Sequence, residues 1–197
     1  MNPEALLELF RTSGALLDGH FRLTSGLHSP GYLQCALVLQ HPPHAESLGR
    51  AIAGRTRDLT PTVVLSPALG GVVIGHEVAR ALGVRAIFAE RQDGRLTLRR
   101  GFSVTGRDRV LVVEDVLTTG GSTREVIEVM RHHDAKPAAI GAIVNRSGGN
   151  PFAKDGLELF ALAEVEVKTW KPEDCPLCRT GGSAVKPGSR LGAGARV

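Results

Sequence analysis

The run Val110-Leu-Val-Val-Glu-Asp-Val-Leu-Thr-Thr-Gly-Gly-Ser-Thr123 leaves this chain few folds to adopt. Four apolar residues lead into two adjacent carboxylates, Glu114 and Asp115, and then into a hydroxyl- and glycine-rich loop. Val126, Ile127 and Met130 follow at helical spacing, so the segment reads as strand, loop, amphipathic helix. Ser122, with Glu125 three residues on, fits a capping box and predicts a helix over about 122–133. The carboxyl ends of such strands are where open α/β sheets bind ligands. Backbone N–H groups at a helix N-terminus suit an anion such as phosphate. Acids that can hold sugar hydroxyls, beside amides that can hold a phosphate, point to a ribose-phosphate. No Gly-Lys-Ser/Thr closes the loop, so it is not a Walker A motif. The acids precede the glycines instead of following them by about 20 residues, so it is not a dinucleotide fingerprint either. An ordinary glycine turn between strand and helix is the alternative, and the acid pair argues against it.

The rest of the chain continues the alternation. Asn2 can cap a helix with Pro3 in its first turn and Leu6, Leu7, Leu9 and Phe10 as its apolar positions. Residues 19–40 alternate polar and apolar around Gly and Pro and read as short strands and turns. Pro42 and Pro43 open a second helix with Ala45, Leu48 and Ile52 on one face. From Thr62 onward, strands are expected at 63–66, 86–90, 110–114 and 138–145, with a helix at about 72–82 and strand-like alternation over 157–168. Alternating β and α implies a parallel sheet covered on both faces, an α/β fold. Residues 91–108 interrupt the order, with a hairpin-turn signal at Asp93-Gly94. They read either as a solvated hairpin or as a mobile arm carrying Arg91 and Arg95 over an anionic ligand; long loops tend to be functional.

A length of 197 residues fits one domain, taken as 1–180, with a weakly ordered Gly-, Ser-, Ala- and Arg-rich tail at 181–197. Hydrophobic content of 42% and charged content of 22% suit a globular protein. No apolar run approaches the ~20 residues of a membrane span. The N-terminus is too acidic for a signal peptide. Three cysteines make no disulfide framework, and the expected compartment is the cytoplasm. Net charge is +4, but the basic residues are dispersed and only 4% of residues are aromatic, so no nucleic-acid partner is expected. Cys175-Pro-Leu-Cys178 is either half of a zinc site in need of two more ligands or a pair of structural thiols. Cys35 lies in a strand-like run and is expected to be buried.

The segment 110–123 resembles the PRPP-binding motif of type I phosphoribosyltransferases: apolar strand, two acids, two variable residues, then Thr-Thr-Gly-Gly-Ser. The resemblance implies that family's fold, a mostly parallel sheet flanked by helices with a small N-terminal hood, here mainly 15–40 plus the C-terminal part. It implies that Glu114 and Asp115 hold the ribose hydroxyls of phosphoribosyl pyrophosphate (PRPP). Val116, Leu117, Thr118, Thr119, Gly120, Gly121 and Ser122 would then form the phosphate cradle. Gly19-His-Phe-Arg-Leu-Thr-Ser-Gly-Leu-His-Ser-Pro-Gly-Tyr32 is similar to the hood signature of orotate phosphoribosyltransferases. Pro67-Ala-Leu-Gly-Gly71 matches the pyrophosphate loop through Gly70 and Gly71, where glycine lets backbone approach a ligand closely. Arg146 stands where the family holds the orotate carboxylate, across from Thr118 and with Tyr32 from the hood; a bidentate contact of this kind selects an acid-bearing base.

The implied activity is transfer of phosphoribosyl from PRPP to orotate, giving orotidine 5′-monophosphate (OMP) and pyrophosphate, in pyrimidine (UMP) biosynthesis. Arg91, Arg95 and Asp115 are the implied catalytic residues. Mg²⁺ would be held through PRPP with no first-shell protein ligand. The implied assembly is a homodimer whose arms reach the neighbouring site, with no nucleic acid and no membrane. The chain departs from the pattern in four places: Gly70 replaces a loop lysine, Arg95 a second lysine, Thr97 sits near a histidine position, and Thr24 replaces a hood lysine. Purine phosphoribosyltransferases share the PRPP motif, and the hood and Arg146 argue against that reading. A PRPP-sensing regulator would need a coherent basic face, which this chain lacks.

Overall fold

Asn2 starts the first helix as expected: its side chain accepts a hydrogen bond from Ala5 N at 2.8 Å, and α1 (Pro3–Thr12) buries Leu6 and Phe10. The computed structural model describes residues 1–23 and 25–186; Thr24 and the expected tail from 187 onward lie outside them. After α1 come a hairpin of β1 (Leu16–Arg22) and β2 (His28–Leu33), the short α2 (Cys35–Leu39) and α3 (Pro42–Thr56). Then follow β3 (Val63–Pro67), α4 (Gly70–Leu82), β4 (Arg85–Gln92), β5 (Arg95–Leu98), β6 (Arg109–Leu117), α5 (Gly121–Arg131), β7 (Lys136–Asn145), β8 (Leu159–Glu164) and α6 (Pro176–Arg179). Among the described residues no helix is long and apolar enough to cross a membrane.

Six strands form one sheet in the order β5-β4-β3-β6-β7-β8, parallel except for β5 at the edge. The chain leaves β3 through α4 toward β4 on one side and leaves β6 through α5 toward β7 on the other. The strand order therefore reverses between β3 and β6, which opens a crevice at their carboxyl ends. Both faces of β6 are buried, as its apolar run requires. Leu111 and Val113 pack with Ile52 and Val78 on the α3–α4 side, and Val110 and Val112 with Val126 and Met130 on the α5 side. Complete burial of each such side chain contributes about 1.5–3 kcal/mol.

Three expectations are corrected, and a fourth, the hairpin at Asp93-Gly94, is met. β6 continues to Leu117, so the acids lie within the strand and not at its last residue. The Ser122–Glu125 capping box does not form: α5 starts at Gly121, its N-cap is Gly120 in the left-handed region (φ 78°), and no side chain caps it. Gly120 is needed there because a Cβ would meet the Phe152 ring at 2.7 Å. Residues 91–98 form a two-residue hairpin, with Asp93 (φ 51°) and Gly94 (φ 83°) both left-handed, that adds β5 to the sheet edge. Residues 181–186, expected to open a weakly ordered tail, run along β1 instead. Val185 N donates to His20 O and Arg22 N to Val185 O, each at 2.8 Å.

Candidate active site

The end of β6 with the loop after it, together with the β1–β2 hairpin and the residue that follows it, borders a pocket of about 510 Å³. The PRPP-motif side supplies Asp115, Val116, Thr118, Thr119, Gly121 and Ser122. The hood side supplies Leu23, Ser25, Tyr32, Leu33 and Gln34, and Arg146 completes the wall from just beyond β7. Eight residues named from the sequence thus meet in one place. The uncapped N-terminus of α5 borders the pocket through Gly121 and Ser122, which puts first-turn amides where an anion is favoured.

Asp115 sits at the floor. A Cβ on Gly70 would stand 2.8 Å from both of its carboxylate oxygens, and a Cβ on Gly71 2.9 Å from Val113 O. The two glycines do not line the wall; they let the β3–α4 loop lie directly against the acid. This is the close backbone approach expected at 67–71, made here to a carboxylate.

Several expected site residues lie elsewhere. Glu114 is 8% exposed and does not reach the pocket wall, although its carboxyl lies within hydrogen-bonding reach of Asp115. Desolvation first, then the Asp115 charge, pushes its carboxyl well above the usual carboxylate range. Leu117 is core, and Gly120 is packed on Phe152. Arg91 stands one contact back from the wall: its guanidinium grips Glu125, a wall residue, through two hydrogen bonds of 2.8 and 2.9 Å, and donates to Gly94 O at 2.7 Å. These hydrogen bonds, and then the Arg91 charge, pull the Glu125 carboxyl below the usual range. Arg95 is exposed on β5.

Arg146 differs from the other arginines. It is half-buried, its Nε is buried without a hydrogen-bond partner, and no carboxylate among the described residues pairs with it. Its backbone N–H donates to Leu117 O at 2.7 Å, which fixes it beside the phosphate loop. Tyr32 is close enough for the two to influence each other electrostatically, and burial raises the Tyr32 hydroxyl above its ordinary value. The tyrosine ring packs on Phe21 across the hairpin, with centroids 5.8 Å apart. A buried guanidinium donor without an internal acceptor is costly unless a ligand supplies the acceptor.

Sequence reasoning missed Leu23, Ser25, Leu33, Gln34 and Glu125 as wall residues. The first four fall inside or just after the hood signature and were traceable to it. Glu125 carried a signal that pointed to a helix cap. Apart from Asp115 and Glu125 the wall holds no carboxylate, a donor set too sparse to seat a divalent cation by itself but compatible with one brought by a phosphate ligand.

A parallel sheet with an acid and an uncapped helix at its switch point, roofed by a separate hairpin, is the architecture of a phosphoribosyltransferase. The phosphoribosyl transferase domain model matches residues 36–171. The orotate phosphoribosyltransferase of Heliobacterium modesticaldum is 53% identical over 96% of this chain and 100% of its own length. That of Pelotomaculum thermopropionicum is 53% identical over 96% and 99%. The crystal structure of orotate phosphoribosyltransferase from Aeropyrum pernix, 27% identical, superposes with a TM-score of 0.66 over 81% of this chain and 93% of that one. The chain belongs to the orotate phosphoribosyltransferase family.

Proposed function

We propose that this chain transfers the phosphoribosyl group of PRPP to N1 of orotate, yielding OMP and pyrophosphate in UMP biosynthesis. The observation that carries the reading is Arg146: a buried guanidinium donor without a partner, facing the same pocket as Asp115 and the α5 amides. An acid-bearing base fits that position, and the names of the relatives agree with orotate. The free thiols of Cys35, Cys175 and Cys178 fit a reducing cytoplasm.

The residues divide the work by charge. Thr118, Thr119, Gly121 and Ser122 receive the 5′-phosphate at the helix N-terminus. Asp115 accepts hydrogen bonds from the ribose hydroxyls, which fixes the sugar so that C1′ faces the base. Arg146 takes the orotate carboxylate, with Thr118 and Tyr32 beside the ring. As the bond from C1′ to pyrophosphate breaks, positive charge develops on the sugar and negative charge on the leaving group; no covalent nucleophile is needed. Catalysis then comes from holding two anions in line and neutralising one. The Gly70–Gly71 backbone and the arginines Arg91 and Arg95 serve that neutralisation, Arg91 once it exchanges Glu125 for pyrophosphate. Mg²⁺ brought by PRPP would add charge neutralisation, and Asp115 would be the carboxylate available to its hydration shell. The working unit is a homodimer in which each arm serves the neighbouring pocket.

Steady-state kinetics of Arg146→Ala test the assignment. Losing charge-assisted hydrogen bonds worth about 1.5–3 kcal/mol should raise KM for orotate roughly 10- to 100-fold and leave KM for PRPP within about twofold. An unchanged KM for orotate, or an equal rise in both, would remove Arg146 from the base site.

A further inference from the structure

Four side chains that the transfer reaction does not use converge outside the pocket: His20 on β1, His28 at the start of β2, Cys175, and Cys178 on α6. Their ligand atoms all lie within 4.8 Å of one another. His20 Nε2 is 2.9 Å from His28 Nδ1, 3.4 Å from Cys175 Sγ and 3.8 Å from Cys178 Sγ. Cys178 Sγ is 3.3 Å from His28 Nδ1.

The protonation pattern shows what the cluster needs. His20 Nδ1 lies 2.9 Å from the Gly182 carbonyl oxygen. A carbonyl only accepts, so Nδ1 carries the proton, and in the neutral ring Nε2 presents a lone pair to the other three groups. That lone pair can accept from one donor, yet an imidazole and two thiols crowd it. A cation at the centre satisfies all four at once. Tetrahedral zinc, with Zn–S near 2.3 Å and Zn–N near 2.0–2.1 Å, sets its ligand atoms about 3.3–3.8 Å apart. Four of the six separations, at 2.9–3.8 Å, lie around that range and all six are within 4.8 Å, so a shift of about 1 Å or less admits the ion. The bond from His20 Nδ1 to a backbone carbonyl is the outer contact that fixes the tautomer of a ligating histidine.

We propose that His20 Nε2, His28 Nδ1, Cys175 Sγ and Cys178 Sγ bind one Zn²⁺. Two thiolates and two imidazoles in tetrahedral array favour zinc among divalent ions, and four protein ligands leave no open position, so the ion is structural. Binding releases the two thiol protons. A one-residue bulge, where Asp18 to Phe21 oppose Gly31 to Ser29, is what aims His20 at the cluster. The ion joins segments more than 150 residues apart. Backbone bonds between His28 and Trp170 (2.8 and 2.9 Å) and between Val185 and β1 run alongside it. A lone two-stranded hairpin is marginal by itself, and this one carries Tyr32 into the pocket. Zinc therefore fixes the hood.

The test is metal content of the full-length protein purified with zinc under reducing conditions and dialysed against a mild chelator. About one zinc per chain is expected, falling at least fivefold in Cys178→Ser, an exposed position, and in His20→Gln. Cobalt substitution should give tetrahedral d–d bands with a thiolate charge-transfer band, both lost in the variants. Zinc-free protein whose unfolding temperature does not respond to added zinc would overturn the proposal. So would a Cys175–Cys178 disulfide in the freshly purified protein, or zinc retained in full by both variants. Metal content is read without any assay of transfer, so its outcome is independent of the proposed reaction.

Discussion

Asp115 is placed by what Gly70 lacks. A methyl group at position 70 would stand 2.8 Å from both carboxylate oxygens, so Gly70→Ala must displace either the acid or the loop. We expect at least a tenfold loss of kcat/KM for PRPP with little change in unfolding temperature, checked by kinetics and calorimetry together. Gly120→Ala acts on stability instead: a left-handed residue with a Cβ 2.7 Å from Phe152 should cost about 2–3 kcal/mol in denaturant unfolding. Glu114 gives a pH signature. Burial holds its proton on in the folded chain at pH values where the unfolded chain has lost it. Its contribution is therefore full below the ordinary glutamate range, near pH 4.3, and is lost as pH rises toward the raised folded value. Thermal unfolding of Glu114→Gln should show a gain over the wild type at pH 8 that shrinks at pH 5; equal gains at both would mean that the carboxyl is not desolvated.

Among the elements, those with strong periodicity were legible in the sequence. α1, α3 and the strands β3, β4, β6 and β7 fall within a few residues of expectation because burial on both faces leaves β6 and its neighbours little but apolar residues. What the sequence hid was set by contacts between distant segments. Ser122 and Glu125 have capping-box spacing, yet Arg91, 34 residues away, takes the carboxylate, and the helix starts at Gly121 after a left-handed Gly120 with no side-chain cap. Asp115 and Arg146 were readable from their motifs, whereas the burial of Glu114 outside the pocket wall was not. The zinc ligands were half visible: Cys175 and Cys178 carry metal spacing, but only folding brings His20 and His28 to them. The pair Arg91–Glu125 is half-exposed, so Arg91→Ala should change stability by less than about 1 kcal/mol. If the hairpin closes on the leaving group, the same substitution should lower kcat more than tenfold; a small effect on both quantities would leave the arm a surface hairpin.

For the molecule as a whole, the sheet supplies the PRPP side of the pocket and the hood supplies the base side, with Arg146 at the seam. The proposed dimer adds an arm from the second copy. Arg95→Ala and Asp115→Asn, each inactive alone, should recover up to about a quarter of wild-type activity when co-refolded, since half of the dimers then hold one intact site. No recovery would confine each arm to its own subunit. The central claim, orotate-specific phosphoribosyl transfer, is tested most directly by incubating the protein with PRPP and Mg²⁺ and each base in turn, following base loss and pyrophosphate release. Orotate should be consumed with one pyrophosphate formed per OMP, and adenine, hypoxanthine and guanine left unchanged. Turnover of a purine without turnover of orotate would contradict the account.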